Sequence, residues 1–272
     1  MKTFLTRAIT GLFFAITLIS AVGLSEFSSA LLFLIIAIAG MLEFFRILKP
    51  AGIKPHSIFA LLAALVIHLA IFLLNKDLMD SACMGFLLVL FFIPFVLELY
   101  RKTDSSFSDI GYTLISLIYL AIPLALFPSI GYRGGVYSSH IPLGILFLIW
   151  SSDSGAYVVG SLIGRTRLFE RISPKKSWEG TIGGGLFSLL VAYILSRYFL
   201  EIRTDQWLTL AVIVIVAGIL GDLIESMLKR SLQIKDSGSI LPGHGGILDR
   251  FDALIFAVPF AWVYLQWIGV HS

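Results

Sequence analysis

The residues with the most chemical potential lie between Gly221 and Asp252, where charged side chains follow directly on an apolar run. Five of them fall at positions i, i+3, i+4, i+7 and i+8, which is one face of an α-helix: Asp222, Glu225, Ser226, Lys229 and Arg230. A glycine loop at 242–246 follows, and then Asp249-Arg250-Phe251-Asp252 opens another apolar run. Carboxylates, cations and a flexible glycine loop together suit a divalent metal ion and phosphate groups. A solvated helix and an ordinary turn are the alternative, but ionisable groups within membrane-spanning sequence are costly and usually functional.

Composition indicates the environment of these charges. Of the 272 residues, 58% are hydrophobic and 14% are charged, with a mean hydropathy of +0.94. Soluble domains are about a quarter charged, so the chain reads as a polytopic membrane protein. Cys83 is the only cysteine, which excludes a disulfide framework and a cysteine metal site. Lys2 and Arg7 ahead of Ala8–Val22 resemble a secretory signal peptide, but a second apolar segment follows at once and favours an uncleaved first helix.

Nine apolar runs are long enough, or nearly so, to cross a bilayer, which predicts an all-α polytopic membrane protein. We place them at Leu5–Leu24, Phe27–Phe45, Ile58–Leu74, Ala82–Leu99, Ile110–Phe127, Ile141–Leu162, Ile182–Phe199, Trp207–Glu225 and Phe251–Val270. We divide the chain into an N-terminal scaffold of transmembrane helices, 1–140, and a C-terminal catalytic region, 141–272, that contains the charged stretch 226–252.

The distribution of basic residues predicts the orientation. With the N-terminus inside, 16 of the 20 Lys and Arg residues fall on the cytoplasmic side. The four left outside are Lys76, Arg133, Arg197 and Arg203. This strong positive-inside bias predicts a cytoplasmic N-terminus and an outer C-terminus. Loops 163–181 and 226–250 then face the cytoplasm, where nucleotides are available.

Two acids lie at membrane depth. Asp153 is about 18 Å along its helix from Ile141, and Asp222 precedes Lys229 by about 10 Å. A carboxylate facing lipid would cost a few kcal/mol, so each must face protein, water or a cation. We therefore expect a polar cavity that opens to the cytoplasm. A structural hydrogen bond to a neighbouring helix remains the alternative for Asp153.

The loop Ser173–Thr181 is basic and precedes the seventh run. Ser173 and Pro174 are plausible as an N-cap and first helical turn, and Lys175 and Lys176 beside Ser177 could grip a polyphosphate. The alternative is a basic loop that only sets topology, with Trp178 as an interfacial anchor. We expect the glycines at 183–185 to let helices pack closely, because the strand and lysine of a P-loop are missing.

At this point the residues match a known family. The spaced pattern from Ser226 to Asp252 resembles the signature of the CDP-diacylglycerol synthases, also called phosphatidate cytidylyltransferases. Its fixed positions here are Ser226, Lys229, Arg230, Lys235, Asp236, Gly238, Pro242, Gly243, His244, Gly245, Gly246, Asp249, Arg250 and Asp252. Asp153–Tyr157 with Gly160 and Gly164, and the Ser173–Thr181 loop, also look like the family. Ser154 and Ala253 depart from it, since threonine and serine are common there, and neither change should affect the chemistry.

The resemblance implies an enzyme of phospholipid biosynthesis that joins CTP to phosphatidic acid with Mg²⁺, giving CDP-diacylglycerol and pyrophosphate. It puts one Mg²⁺ between Asp222 and Asp249, with Asp153, Asp236 and Asp252 as candidates for a second cation or for orienting ligands. The catalytic set it implies is Asp222, Lys229, Arg230, Lys235, Asp236, His244, Asp249 and Asp252. The substrate-binding set is Ser173, Lys175, Lys176, Ser177, Glu179, Gly245, Gly246 and Arg250. His244 alternatively caps the glycine loop.

From the residues themselves we expect no protein nucleophile, because Mg²⁺ and cationic side chains suffice for two phosphates to react in line. The partners expected are CTP, phosphatidic acid and membrane lipids, with no nucleic acid; a homodimer is left open. The expected location is the bacterial inner membrane. One rival is a CTP-dependent lipid kinase, which would release CDP. The other is an ion transporter with carboxylates in broken helices. A transporter needs access from both faces, whereas the acids and basic loops here lie towards one side.

Overall fold

Helices make up nearly all of the structure, as the apolar runs predict. The computed structural model describes residues 2–80, 82, 84–102, 105–238 and 245–270, with side chains from Thr10 onward except that of Met84. In the described residues the helices are α1 (Lys2–Leu24), α2 (Glu26–Leu48), α3 (Ser57–Asn75), α4 (Met84–Leu99), α5 (Ser106–Ser129), α6 (His140–Ile163), α7 (Trp178–Tyr198), α8 (Thr204–Ser231) and α9 (Leu248–Trp267). A 3₁₀ turn at Lys49–Ala51 follows α2, and α5 contains a π-helical stretch at Ser116–Ala121. Between α5 and α6, strand β1 (Tyr132–Arg133) pairs antiparallel with β2 (Val136–Tyr137).

In the part of the chain that the structure describes, six helices are long and apolar enough to cross a membrane, so the chain is an integral membrane protein of the all-α class. They span Glu26–Ala51, Ser57–Asn75, Ser106–Ser129, His140–Ile163, Trp178–Tyr198 and Thr204–Ser231. Two shorter apolar helices cover Thr10–Leu24 and Gly85–Leu99. Helix α9 has 20 residues, but its first turns carry Asp249, Arg250 and Asp252.

The lipid-facing surface is visible on α7. Ile182, Leu186 and Leu190 repeat every four residues and are 59%, 62% and 57% exposed. Side chains at this spacing share one face of a helix. A continuous apolar face of this kind needs an apolar solvent, which the bilayer supplies.

The basic loop before α7 differs from its prediction. Ser173 and Pro174 do not begin a helix; they belong to strand β4 (Ser173–Ser177), which pairs antiparallel with β3 (Arg167–Phe169). The N-cap is instead Ser177, whose hydroxyl accepts a hydrogen bond from the amide of Gly180 at 3.2 Å. Helix α7 therefore starts at Trp178 and not at Ile182. The prediction placed the start too late because it counted only the continuous apolar run, which the residues of the first turn do not belong to.

Helices α6 and α7 pack at the distance that glycine allows, as we predicted, at Gly183 and Gly184, whereas a Cβ on Gly185 would make only an ordinary contact, at 3.8 Å from Ile215. A Cβ on Gly184 would overlap the carbonyl oxygen of Ser152, and one on Gly183 would meet the side chain of Val159. On the facing helix, a Cβ on Gly155 would lie 2.8 Å from Phe187 Cβ. This close approach holds β4 beside the last turns of α6.

One apolar core joins the two halves of the chain. Phe33 of α2 is fully buried, stacks tilted against Phe127 of α5 at 4.3 Å, and meets Phe251 of α9 edge-on at 6.3 Å. Such aromatic contacts add to the packing of the helices that make them. The N-terminal helices are thus in direct contact with the start of α9.

Loops that the alternating topology puts on one side do meet in the structure. At one end, Asp109 accepts a hydrogen bond from the amide of Lys54 at 2.8 Å, and Arg101 donates to the carbonyl oxygen of Lys54 at 2.6 Å. At the other end, Lys76 pairs with Glu26. Which end faces the cytoplasm stays a prediction.

Candidate active site

A cavity of about 780 Å³ lies between α1, α6, β4, α7, α8 and α9. One part of its wall is charged and contains eight of the predicted site residues: Asp153, Lys175, Lys176, Ser177, Asp222, Asp249, Arg250 and Asp252. The other part is apolar and contains Phe14 and Leu18 from α1, Leu146 and Ile149 from α6, and Val214 and Ile219 from α8. Asp153 of α6 and Asp222 of α8, the two acids for which we expected a polar cavity, both line it, together with Asp249 and Asp252 of α9. That the cavity opens to the cytoplasm stays a prediction.

Asp222 is held by the basic strand. Its Oδ2 pairs with the ammonium of Lys176, and its Oδ1 lies 3.4 Å from the hydroxyl of Ser226 one turn further along α8. Both charged side chains remain partly accessible, at 29% for Lys176 and 34% for Asp222. An ion pair in contact with water can exchange partners at small cost, so Lys176 can turn from Asp222 to an incoming anion.

Asp249 is enclosed on both of its carboxylate oxygens. Oδ1 accepts from the ammonium of Lys229 at 2.6 Å, and that ammonium also pairs with Glu225. Oδ2 accepts from the amide of Gly246 at 2.9 Å, and from the amide and hydroxyl of Ser237 at 3.2 and 3.0 Å. Only 13% of the side chain is exposed. Several donors on one carboxylate favour its charged form and fix its orientation.

The glycines before α9 serve two purposes. Gly245 has φ +87°, a backbone angle that residues with a Cβ rarely adopt. It lets the chain reverse into α9, and the reversal brings Asp249 to the cavity that Asp222 also lines. Gly246 instead provides space, as described below. Pro242, Gly243 and His244 lie outside the described residues, so the role of His244 stays a prediction.

Asp153 and Asp252 complete the acidic wall. Asp252 lies within electrostatic range of Asp153, Asp222 and Glu225. Helices α8 and α9 cross so closely here that a Cβ on Gly221 would overlap the carbonyl oxygen of Asp252. The fold therefore concentrates negative charge that a cation would relieve.

The β3–β4 hairpin presents Lys175 and Lys176 to the cavity, and Glu179 holds the hairpin in place. The Glu179 carboxylate accepts hydrogen bonds from the amides of Arg165 and Thr166, each at 3.1 Å. This arrangement gives Glu179 a structural task within the predicted substrate-binding set. Ser173 begins β4 and does not line the cavity.

Further predicted residues that do not line the cavity wall are Arg230, Lys235 and Asp236. Arg230 is exposed and donates to the carbonyl oxygen of Ile234 at 3.2 Å, which closes the end of α8. Lys235 and Asp236 are exposed on the segment that follows. Any contact of these residues with a substrate would be made at the mouth of the cavity.

The charges of the wall fit a divalent cation. Lining residues include three cations, Lys175, Lys176 and Arg250, against four carboxylates, Asp153, Asp222, Asp249 and Asp252. Two anionic reactants could not gather here without further positive charge. The donors are carboxylate oxygens, which Mg²⁺ prefers, and it needs only one or two of them from protein. Within the described residues no group of three or more His, Cys, Asp or Glu encloses a single point, as a fully protein-coordinated metal would require.

Comparison with known proteins identifies the family. Residues 5–268 match the cytidylyltransferase family, which is nearly the whole chain. The chain belongs to this family. Proteins named phosphatidate cytidylyltransferase are similar to it: that of Staphylococcus aureus (strain COL) is 39% identical over 175 residues, and that of Staphylococcus haemolyticus 37% identical over 209 residues. These alignments cover 64% and 76% of this chain and 65% and 78% of the relatives. The first thus spans just under two thirds of its relative's length.

Several residues beside the site of this cytidylyltransferase-family chain were not predicted from the sequence. Glu43, on α2, is buried and bonded to the segment before Asp249. The rule that flagged Asp153, an acid inside an apolar run, would also have flagged it. Ser237 was passed over between two signature positions. Tyr119, on the π-helical stretch, lies within electrostatic range of Asp222 and Asp252, and its buried hydroxyl has no hydrogen bond among the described residues.

Proposed function

We propose that this protein transfers a cytidylyl group from CTP to phosphatidic acid, forming CDP-diacylglycerol and pyrophosphate. Membership of the cytidylyltransferase family and the names of the relatives support this reaction. The observation that carries it is the two-part cavity, in which a charged wall continues into an apolar wall formed by α1, α6 and α8. A phosphorylated lipid has the same two parts, a charged headgroup and apolar chains, so it can enter from the bilayer while a nucleotide enters from water.

The cations of the wall would bind the phosphates. Lys175 and Lys176 project from β4, and Arg250 projects from the first turn of α9. At about 4 Å and an effective dielectric near 20, each contact with a phosphate charge is worth about 4 kcal/mol before desolvation. Lys176 would exchange Asp222 for a phosphate oxygen, and Asp222 would then be available to a cation.

Mg²⁺ is the cofactor we propose, held by Asp222 and Asp249, with Asp153 and Asp252 available to a second cation. When bound, it would neutralise phosphate charge and orient the reacting groups. Lys229 now pairs with Asp249, and Glu225 on the same helix is a second partner to which it can turn. Oδ1 of Asp249 can thereby be freed while Oδ2 keeps the amides of Gly246 and Ser237 as donors.

The reaction needs no covalent intermediate with the protein. An oxygen of the phosphatidic acid phosphate attacks the α-phosphorus of CTP, the bond from that phosphorus to the bridging oxygen of the β-phosphate breaks, and pyrophosphate leaves with the bonding electrons. Lys175, Lys176 and Arg250 stabilise the charge that develops on the phosphate oxygens. The apolar wall keeps the lipid phosphate at the height of the acids.

We further propose nine membrane spans, formed by all nine helices, in the bacterial cell membrane. The N-terminus and the mouth of the active site would face the cytoplasm, and the C-terminus would face outwards. The 16-to-4 distribution of basic residues supports this orientation.

The first prediction tests the reaction directly. Purified protein in mixed micelles with phosphatidic acid, Mg²⁺ and CTP labelled in the α-phosphate should transfer the label to lipid and release unlabelled pyrophosphate in equal amount. Diacylglycerol or a polyprenol in place of phosphatidic acid should give no labelled lipid.

The same assay separates the rival functions. Formation of CDP with an alcohol acceptor would instead establish a lipid kinase. The absence of any CTP turnover with phosphatidic acid and Mg²⁺ would refute the proposed reaction.

A further inference from the structure

Glu43 is a buried acid in the N-terminal half of the chain, outside the signature and outside the cavity wall. It lies on α2 in the sequence Met41-Leu42-Glu43-Phe44-Phe45 and is 1% exposed. A carboxylate among apolar side chains at membrane depth is strongly destabilising unless it is fully bonded. The groups that bond the Glu43 carboxylate therefore indicate its role.

All of its hydrogen-bond partners among the described residues belong to the segments that surround Asp249. Oε2 accepts from the amide of Ile247 at 2.9 Å, and Oε1 accepts from the amide of Leu248 at 3.1 Å. These amides are at the start of α9, where Ile247 provides no side-chain cap of its own. Free amides at a helix start need an acceptor, and a negative charge there is further stabilised by the helix dipole. Glu43 thus caps α9 from a different helix.

A third contact connects Glu43 to Asp249. The hydroxyl of Ser237 lies within hydrogen-bond distance of Glu43 Oε1 and of Asp249 Oδ2. A serine hydroxyl has one proton, so it can donate to one carboxylate at a time. When the hydroxyl donates to Glu43, the amide of Ser237 still donates to Asp249, so the network runs from Glu43 through Ser237 to Asp249 and on to Lys229.

Two signature glycines are explained by the Glu43 carboxylate. A Cβ on Gly246 would overlap Glu43 Oε1 and the hydroxyl of Ser237. A Cβ on Gly238 would lie 2.7 Å from Glu43 Oε2, well inside van der Waals contact. Neither glycine has a positive φ, so space rather than backbone angle requires glycine at both positions.

We propose that Glu43 is a positioning residue for the active site. By holding the amides of Ile247 and Leu248 and the hydroxyl of Ser237, it sets the start of α9 and with it the orientation of the Asp249 carboxylate. The scaffold half of the chain thereby takes part in the reaction. The kinetic consequence of this role rests on the proposed cytidylyl transfer, but the capping itself does not.

Two substitutions test the role with one matched control. Glu43→Gln keeps the size of the side chain but turns one acceptor into a donor that faces amide donors. Ser237→Ala removes the link to Asp249 and leaves the cap. Glu26→Gln, on the same helix, removes an acid that pairs with Lys76 at the opposite end.

Hydrogen exchange provides a readout independent of activity. The amides of 245–250 should exchange at least ~10-fold faster in Glu43→Gln than in wild type or Glu26→Gln, about 1.4 kcal/mol of lost protection. Unchanged exchange in this segment would overturn the proposal, whatever the assay of the reaction gives.

Kinetics then separate positioning from general stability. Glu43→Gln and Ser237→Ala should each lower turnover at least ~10-fold and raise the Mg²⁺ concentration for half-maximal rate, while Glu43→Asp should recover part of the loss. The double variant should be little worse than Glu43→Gln alone, because the two side chains act through one carboxylate. A loss that follows only the folded fraction, with an unchanged Mg²⁺ requirement, would contradict positioning. A wild-type protein without cytidylyl transfer would refute the proposed reaction and leave the exchange test standing.

Discussion

Asp222 and Asp249 line the same cavity wall, but their carboxylates differ in hydrogen-bond donors and in exposure. Asp222 has one lysine and one distant hydroxyl, and a third of its side chain is exposed. Asp249 accepts from Lys229 and from the amides of Ser237 and Gly246, has the hydroxyl of Ser237 within reach, and is mostly covered. The first can therefore change partners readily, while the second is fixed in place. A metal that binds both would combine an adaptable ligand with a rigid one.

Replacing either acid by asparagine keeps its shape and removes its charge. We predict that Asp222→Asn and Asp249→Asn each lower CDP-diacylglycerol formation about 100-fold or more, the magnitude seen when a group that stabilises transition-state charge is lost. The double variant should be little worse than either single one, because groups that act as a unit are strongly non-additive. Asp205→Asn, at the exposed far end of α8, is the control and should be near wild type. Near-normal Mg²⁺-dependent activity in either single variant would rule out the shared site.

Residue types and spacing predicted the acids of this site but not the residues that hold those acids in position. Asp153, Asp222, Asp249 and Asp252 stand out because they interrupt apolar sequence or belong to the signature, and all four line the cavity. Glu43 acts on residues 194 to 205 positions away in sequence. No local sequence pattern predicts a contact between residues so far apart in the chain. The ion pairs of Lys176 and Lys229 could likewise not be predicted from the sequence, since they depend on which side chains the helices bring together.

At the scale of elements, apolar counting found the helices and misjudged some of their ends. The seventh run was predicted to start at Ile182, but the four residues before it are the first turn of α7, capped by Ser177. The eighth helix continues past its apolar run to Ser231, as the helical spacing from Asp222 to Arg230 predicts. Polar residues end an apolar run without ending a helix. This extension is what places Lys229 beside Asp249.

The α6–α7 contact depends on glycine, and it positions the basic strand. A Cβ on Gly184 would overlap Ser152 O and lie 2.9 Å from Ala156 Cβ. We predict that Gly184→Ala destabilises the protein by about 1–3 kcal/mol, the usual cost of overpacking, and lowers its melting temperature in detergent. Gly111→Ala on α5, with nothing within 4 Å of its new methyl group, is the matched control and should melt at or above the wild-type temperature. Equal melting temperatures for the two variants would show that α6 and α7 can separate freely.

At the scale of the whole molecule, the N-terminal and C-terminal halves cannot be treated as scaffold and enzyme alone. Phe33 packs against Phe251, Glu43 caps α9, and α1 supplies part of the cavity wall. The sequence supported a boundary at 140 because recognisable chemistry begins after it. Contacts between distant helices carry no such signal, so the contribution of α1 and α2 is visible only in the folded chain.

The membrane topology is the last feature that the fold leaves to experiment. The single native cysteine can be removed by Cys83→Ser, after which one new cysteine at a time can be labelled with a membrane-impermeant maleimide in sealed vesicles of either orientation. We predict that Glu170→Cys, at the exposed turn of the β3–β4 hairpin, labels only from the cytoplasmic side. Val136→Cys, which is 70% exposed between α5 and α6, should label only from the opposite side. Ser272→Cys, at the C-terminal position, should label with Val136→Cys, because four spans, α6 to α9, lie between the two positions. Labelling of Ser272→Cys together with Glu170→Cys would mean an even number of spans between these two positions and would refute the nine-span topology.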